Sequence, residues 1–184
     1  VLCNSSDSID EKKIPKIKDE REQVTEPGSA YQMVSMLRGA VIRGTGRLVN
    51  KINKTLAGKT GTTNNNTDAW FIGFSSDLVV GVFVGFDKPK SLGKRETGSS
   101  VSAPIFTQFM SDALEKKTDI PFRRPSGIKL IKVNPKTGLM VNSRDKNYIL
   151  EAFKPGQLPS LTTDLNFLDI SKSKNVIKRL SPLY

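Results

Sequence analysis

The chain has 184 residues with 36% hydrophobic residues, one cysteine, no histidine and a formal net charge of +11. A single cysteine excludes an internal disulfide and a cysteine-based metal site, and the lack of histidine excludes Ser-His-Asp and Cys-His catalysis. Any acyl-transfer chemistry would therefore need a lysine or a carboxylate as its base.

The first predicted element is a helix that follows a polar stretch. Residues 1–26 are mostly polar and charged, which is typical of a linker or surface insertion. Ser29, after Pro27-Gly28, is the predicted N-cap. Apolar residues then recur at spacings of three and four until Gly44-Thr45-Gly46, which predicts a helix with a wide apolar face.

Three strands are predicted next. They cover residues 56–62, 69–74 and 78–86, and Asn- and Ser-rich turns join them. Short turns between strands indicate an antiparallel meander. The last strand is almost continuously apolar, so we expect it to be buried on both faces, with helices on both sides of the sheet.

The remainder contains a loop over 87–100, a second helix over about 103–117 and a proline-rich boundary. Residues 128–141 predict a small hairpin around an Asn-Pro-Lys-Thr-Gly turn, and beyond residue 155 we expect a poorly ordered basic tail. We accordingly divide the chain into a linker (1–26), a domain half (27–118) and a C-terminal extension (119–184).

Gly58-Lys59-Thr60-Gly61-Thr62-Thr63 is the segment that suggests chemistry. A phosphate-binding P-loop would need glycine where Asn53 stands and a helix after the motif, so this interpretation fails. The other use of Lys-Thr-Gly is in serine acylases, which work without histidine. There a lysine and a hydroxyl bind a substrate carboxylate, a glycine admits the substrate backbone, and a following N–H polarises a carbonyl.

The tripeptide alone is weak evidence, because Lys136-Thr137-Gly138 repeats it. The second copy follows Asn134-Pro135, and we interpret it as a hairpin turn in which glycine and threonine serve the geometry. The first copy differs in its setting, because an Asn-rich turn, Asp68-Ala69-Trp70-Phe71 and an apolar strand follow it.

In this setting the chain resembles the C-terminal part of the transpeptidase domain of class A (bifunctional) penicillin-binding proteins. The resemblance is strong over about residues 24–117 and includes Arg43-Gly44-Thr45-Gly46 and Ala103-Pro104-Ile105-Phe106. It appears again in the extension at Glu151-Ala152-Phe153-Lys154-Pro155-Gly156. The implied fold class is α+β: part of the serine β-lactamase/transpeptidase-like fold, with a three-stranded antiparallel sheet flanked by helices, a C-terminal hairpin extension and a basic tail.

The resemblance implies an acyl-serine D-alanyl-D-alanine transpeptidase that cross-links peptidoglycan stem peptides and is trapped by β-lactams. Lys59, Thr60, Gly61 and Thr62 would bind the substrate, and Lys59 and Thr62 would be the catalytic members, with the Thr62 N–H in the oxyanion hole. Asp68 and Trp70 would be structural supports. No cofactor and no metal are implied.

The resemblance also implies that the family's nucleophile is not in this chain, since S-x-x-K and S-x-N should precede Lys59 by more than a hundred residues. The S-x-x-K matches at residues 91–94, 143–146 and 171–174 lie after the motif and are interpreted as coincidence. We therefore expect an inactive, poorly stable fragment whose partner is the missing N-terminal part of its domain. Its implied location is the bacterial envelope, at the periplasmic face of the inner membrane. The export signal and membrane anchor would lie upstream.

The alternative is a non-catalytic basic module that binds an anionic cell-envelope polymer, since residues 121–184 carry 12 Lys/Arg and 4 Asp/Glu. Lysine outnumbers arginine, which argues against base-specific nucleic-acid recognition. A solvated lysine-rich surface would explain the same charge.

Overall fold

The computed structural model describes residues 22–142 and 144–159. Their order is helix α1, strands β1, β2 and β3, helix α2, and strands β4 and β5, which confirms the predicted α+β class. Among the described residues, no helix is long and apolar enough to cross a membrane. The bounds are α1 Pro27–Arg43, β1 Ala57–Thr62, β2 Asp68–Phe74, β3 Val79–Gly85, α2 Ala103–Leu114, β4 Lys129–Val133 and β5 Ile149–Phe153.

Helix α1 begins three residues earlier than predicted, because Glu26 rather than Ser29 caps it. The Glu26 carboxylate accepts hydrogen bonds from the backbone N–H groups of Gly28 at 2.7 Å and Ser29 at 2.9 Å. Pro27 fits the first helical position because a helix leaves that N–H unpaired in any case. The predicted Ser29 cap is therefore wrong, and its hydroxyl donates to Glu26 instead.

The Glu26 cap makes the stability of the fold depend on pH in the acid range. The N–H groups of Gly28 and Ser29, helped by the Lys154 ammonium, lower the pKa of Glu26 from 4.5 to about 2. A carboxyl with a lowered folded-state pKa stabilises the fold fully above its unfolded pKa and loses this contribution as pH falls through the folded pKa. We expect Glu26→Gln to flatten the fall of the thermal midpoint between pH 4.5 and 2. Parallel curves for the variant and the original chain would contradict the cap.

The central sheet has the order β1-β2-β3, with both neighbouring pairs antiparallel, so the predicted meander is confirmed. Lys59 lies opposite Ile72, and Gly61 lies opposite Trp70. Within the described part of the chain, β1 is an edge strand with no strand on its outer side. The motif therefore stands at the border of the sheet.

The two helices share one hydrophobic core on a single face of the sheet. Phe71 from β2 is fully buried and stacks on Phe106 from α2, with ring centroids 4.6 Å apart. The other buried members of this cluster come from both helices and the segments beside them: Val41, Val49, Leu56, Ala103, Met110 and Leu114. The core thus fixes both helices against β1 and β2.

The opposite face of the sheet is open in the described residues, which corrects the expectation that helices cover both sides. Ile72 is 52% exposed and Phe83 is 50% exposed, although both are large and apolar. Trp70 lies directly opposite Phe83 on the neighbouring strand, and their rings pack at a tilt of 45° with centroids 4.7 Å apart. Strand β3 is therefore only partly buried, on one face, despite its continuous apolar sequence.

The predicted C-terminal hairpin is confirmed, but its return arm is not a full strand. Val133 forms an isolated bridge with Met140 across the Asn-Pro-Lys-Thr-Gly turn. The strand that pairs along the whole of β4 is β5, which the sequence did not predict. Together β4 and β5 form a two-stranded ribbon.

This ribbon is attached to α1 along the helix. Lys154 donates to Ser29 and Glu26 at the first turn, and Gln32 donates to the Ala152 carbonyl at 2.9 Å. Arg43, the last helical residue, pairs with Glu151. A Cβ at Gly39 would lie 2.9 Å from the Arg43 guanidinium, so glycine there gives Arg43 room.

Candidate substrate-binding strand

The four predicted site residues lie side by side on edge strand β1. Lys59 leaves the strand on the open face, and Thr60 and Thr62 leave it on the other face, because side chains alternate along a strand. The exposed Lys59 side chain bends so that its ammonium reaches the Thr60 carbonyl and hydroxyl. In the antiparallel pairing, residues 59–62 lie opposite residues 72–69 of β2. The structure therefore brings together what the motif predicted, on one accessible strand.

The outer edge of β1 also presents backbone groups. The Thr63 N–H donates to the Asp68 carbonyl at 3.0 Å, so this pair of residues occupies a hydrogen-bonded position of the ladder, although the Asp68 N–H donates to the Thr63 hydroxyl. Such pairs alternate with non-hydrogen-bonded pairs in an antiparallel ladder. The N–H and C=O groups of Thr62 and Thr60 consequently point away from β2, towards the open edge. An extended ligand or an oxyanion can reach them there.

The Thr60 hydroxyl lies among other hydrogen-bonding groups. Its Oγ1 is 2.8 Å from Oγ1 of Thr45, which follows α1. The Lys59 ammonium donates to the Thr60 carbonyl at 3.2 Å and to its hydroxyl oxygen at 3.4 Å. The sequence did not predict Thr45 as a neighbour of the motif, although Arg43-Gly44-Thr45-Gly46 is part of the family resemblance.

Thr62 contacts the turn before α2. The Gly98 N–H donates to Thr62 Oγ1 at 3.0 Å. A Cβ on Gly98 would lie 2.3 Å from the Trp70 carbonyl oxygen and 2.7 Å from that of Gly61, so only glycine fits. Gly98 starts a π-helical turn over Gly98–Ser102, which begins inside the predicted loop and leads into α2. This support for the motif was not predicted.

Gly61 has a neighbour of its own on the open face. A Cβ at Gly61 would lie 3.3 Å from the Trp70 Cβ, tighter than ordinary contact. Glycine at this position therefore gives room to Trp70. Asp68 is tied locally, since its carboxylate accepts from the hydroxyls of Thr63 and Thr67.

Asn66 holds the loop that follows β3. Its side-chain amide donates to the backbone carbonyls of Gly93 at 3.1 Å and Glu96 at 2.7 Å. The backbone carbonyl of Asn66 accepts from the Leu92 N–H. Asn65 and Asn66 both have positive φ angles, which confirms the predicted Asn-rich turn. The turn therefore carries the motif strand into β2 and also anchors residues 91–97.

Removing the Asn66 amide should loosen this loop. Asn66→Gly keeps the positive φ accessible but deletes two hydrogen bonds, each worth about 1 kcal/mol. We expect trypsin to cut after Lys90, Lys94 or Arg95 about tenfold faster in limited proteolysis. Asn65→Gly, at a positive φ in the same turn, is the matched control. Equal cleavage of the two variants would contradict the anchor.

The second Lys-Thr-Gly lies elsewhere in the fold. Lys136-Thr137-Gly138 occupies the turn after β4, with Gly138 at φ +72°, as a hairpin turn requires. Of the S-x-x-K matches, Ser91 to Lys94 lies in a loop in which the Ser91 hydroxyl accepts from the Gly93 N–H. Residue 143 and residues 171–174 lie outside the described part of the chain.

Two cavities in the described residues lie away from the motif residues. One of about 260 Å³ is lined by Arg38, Lys54, Thr55 and Asp119, among others, near the start of β1. Thr55 donates to Asp119 through its N–H and its hydroxyl, which lowers the pKa of that carboxyl. Neither cavity includes residues 59–62. The motif lies instead at the open edge of the sheet.

Comparison with known proteins gives the same family as the motif. A family model described as "Penicillin binding protein transpeptidase domain" matches residues 7–111, more than half of the chain. The chain belongs to the penicillin-binding protein transpeptidase family. The "Penicillin-binding protein 1A" of Rickettsia conorii is 45% identical over 165 residues, 89% of this chain and 20% of that protein. The protein of the same name from Pseudomonas aeruginosa is 40% identical over 145 residues, 78% of this chain and 18% of its own length.

A solved structure shows the same fold. The crystal structure of Penicillin-Binding Protein 1A from Haemophilus influenzae superposes with a TM-score of 0.62 and 30% identity. The match covers 71% of this chain and 21% of that one. The transpeptidase fold is therefore confirmed. The chain spans about a fifth of the length of the relatives that it matches.

Proposed function

We propose that this chain forms the C-terminal part of a peptidoglycan D,D-transpeptidase of the acyl-serine type and supplies its substrate-binding strand. The observation that carries the proposal is the position of Lys59 to Thr62 on an edge strand, where a cation, two hydroxyls and outward-facing backbone groups meet. Membership of the transpeptidase family supports it.

The proposed roles follow from the chemistry of each group. The Lys59 ammonium and the Thr60 hydroxyl bind the carboxylate of a terminal D-alanine or of a β-lactam through charge-assisted hydrogen bonds. The substrate backbone lies along β1 as an added strand. The outward Thr62 N–H stabilises the oxyanion that forms when a serine attacks the carbonyl, and its hydroxyl assists at the carboxylate.

The serine comes from the N-terminal part of the same domain, which is the proposed partner of this chain. That part would complete the cleft beside β1 and cover the open apolar face around Trp70, Ile72 and Phe83. Within residues 22–142 and 144–159, no S-x-x-K match lies at the start of a helix. This chain alone is accordingly inactive, and the assembled protein works in the cell envelope, at the periplasmic face of the inner membrane. The divisions at residues 26 and 118 remain predictions.

Covalent labelling with a fluorescent penicillin tests the proposal. We expect no label on the 184-residue chain and a label on the native polypeptide that contains it together with all residues encoded before Val1. A label on the 184-residue chain would disprove the missing nucleophile. An unlabelled native polypeptide that binds an anionic wall polymer in a salt-dependent manner, unaffected by Lys59→Ala, would favour the basic module.

A further inference from the structure

The Thr60 hydroxyl has two hydrogen-bond neighbours and a single proton. A threonine hydroxyl can donate one hydrogen bond and accept two. The Lys59 ammonium, which lies 3.4 Å away, can only donate. The Thr45 hydroxyl, 2.8 Å away, can donate or accept. The direction of this second hydrogen bond therefore decides where the Thr60 proton points.

Thr62 illustrates the arrangement that a carboxylate site needs, in which the hydroxyl proton is free to point at the ligand. The Gly98 backbone N–H that contacts Thr62 Oγ1 can only donate, so the Thr62 proton remains available to a ligand. If Thr45 also donates, both acceptor positions of Thr60 are filled by Thr45 and Lys59. The Thr60 proton then points away from the protein, and two O–H donors stand two residues apart on one strand.

Hydrogen bonds hold the backbone around Thr45 in place. The Ser99 hydroxyl donates to the Thr45 carbonyl at 3.0 Å. The N–H groups of Gly44 and Gly46, on either side of Thr45, both donate to the Ala40 carbonyl in the last turns of α1. A Cβ on Gly44 would lie 2.9 Å from that helix backbone, so the chain turns tightly here. Three hydrogen bonds thus fix the backbone that carries Thr45.

We propose that Thr45 is a positioning residue: it donates its hydroxyl proton to Thr60, which keeps the Thr60 proton directed at the ligand carboxylate. The inference rests on the proposed function, because it assigns a role at the same site. It places part of the carboxylate recognition outside the Lys-Thr-Gly strand, in the loop that follows α1.

The test compares Thr45→Val, which is nearly isosteric but has no hydroxyl, with Thr45→Ser, which keeps one. In the native polypeptide that contains this chain, we expect Thr45→Val to slow acylation by a penicillin about fivefold to tenfold. Thr45→Ser should stay within about twofold of the original rate. A penicillin methyl ester, which lacks the carboxylate, should lose less than about twofold with Thr45→Val. Thr137→Val, in the second Lys-Thr-Gly, is the matched control.

The outcomes separate this inference from the proposed function. Acylation of the original protein with no loss in Thr45→Val would overturn the role of Thr45 and leave the transpeptidase proposal standing. Equal losses for the penicillin and its ester would also overturn it, since they would indicate general damage to the loop. Failure of the original protein to be acylated at all would overturn both.

Discussion

Lys59→Ala should lower the second-order rate of acylation by a penicillin about 10- to 100-fold in the native polypeptide that contains this chain. In its proposed role Lys59 forms a charge-assisted hydrogen bond to the ligand carboxylate, and such bonds contribute about 1.5–3 kcal/mol. Each tenfold change in rate corresponds to about 1.4 kcal/mol. The rate is measured from the time course of labelling at several penicillin concentrations.

The chain contains its own control for this experiment. Lys136 begins an identical Lys-Thr-Gly in the turn after β4, and Lys136→Ala removes the same charge from the protein. We expect this variant to react at the original rate, because no edge strand carries it. Equal losses in both variants would mean that the net charge, and not the position of Lys59, controls the reaction.

Phe71→Ala should destabilise the fold by about 3–5 kcal/mol, the usual cost of removing a buried phenylalanine. Phe71 is fully buried, and its ring packs against Phe106 between the sheet and α2. Typical domains are stable by only about 5–15 kcal/mol, so Phe71→Ala is expected to be largely unfolded. Phe71→Leu, which should cost less, provides a measurable urea transition by circular dichroism.

Phe83→Ala is the control for Phe71, since Phe83 lies on the open face and is 50% exposed. Its contact with Trp70 should be worth about 0.5–1.5 kcal/mol, as for other aromatic pairs. We therefore expect a far smaller shift of the urea midpoint in the 184-residue chain. A loss in Phe83→Ala as large as that in Phe71→Leu would contradict the assignment of the core to a single face.

The parts of the fold that the sequence predicted are those governed by local patterns. Strands β2 and β3 follow from apolar runs, β1 follows from the Asn-rich turn that ends it, and the helix ending at Arg43 follows from its spacing. The motif strand was found because Lys59 to Thr62 are contiguous. A site built from neighbouring residues of one strand can be predicted from the sequence, whereas a site assembled from distant segments cannot.

The missed features depend on partners that are far apart in sequence or of unusual type. Glutamate is an uncommon N-cap, so Ser29 appeared the better choice until the contacts of Glu26 were known. Strand β5 is only five residues long and has no regular alternation, so its pairing with β4 had no local signal. The contact of Thr45 with Thr60 spans 15 residues, and that of Ser99 with Thr45 spans 54.

The attachment of the C-terminal ribbon to α1 has a genetic consequence. Glu151 and Arg43 are joined across 108 residues of sequence, and Lys154 reaches Glu26 across 128. A premature stop codon before residue 151 would leave the Lys-Thr-Gly strand intact in the encoded product. It would nonetheless remove the ribbon contacts at both ends of the helix that leads into Thr45, so the loss of these residues would act on the edge strand that carries the motif.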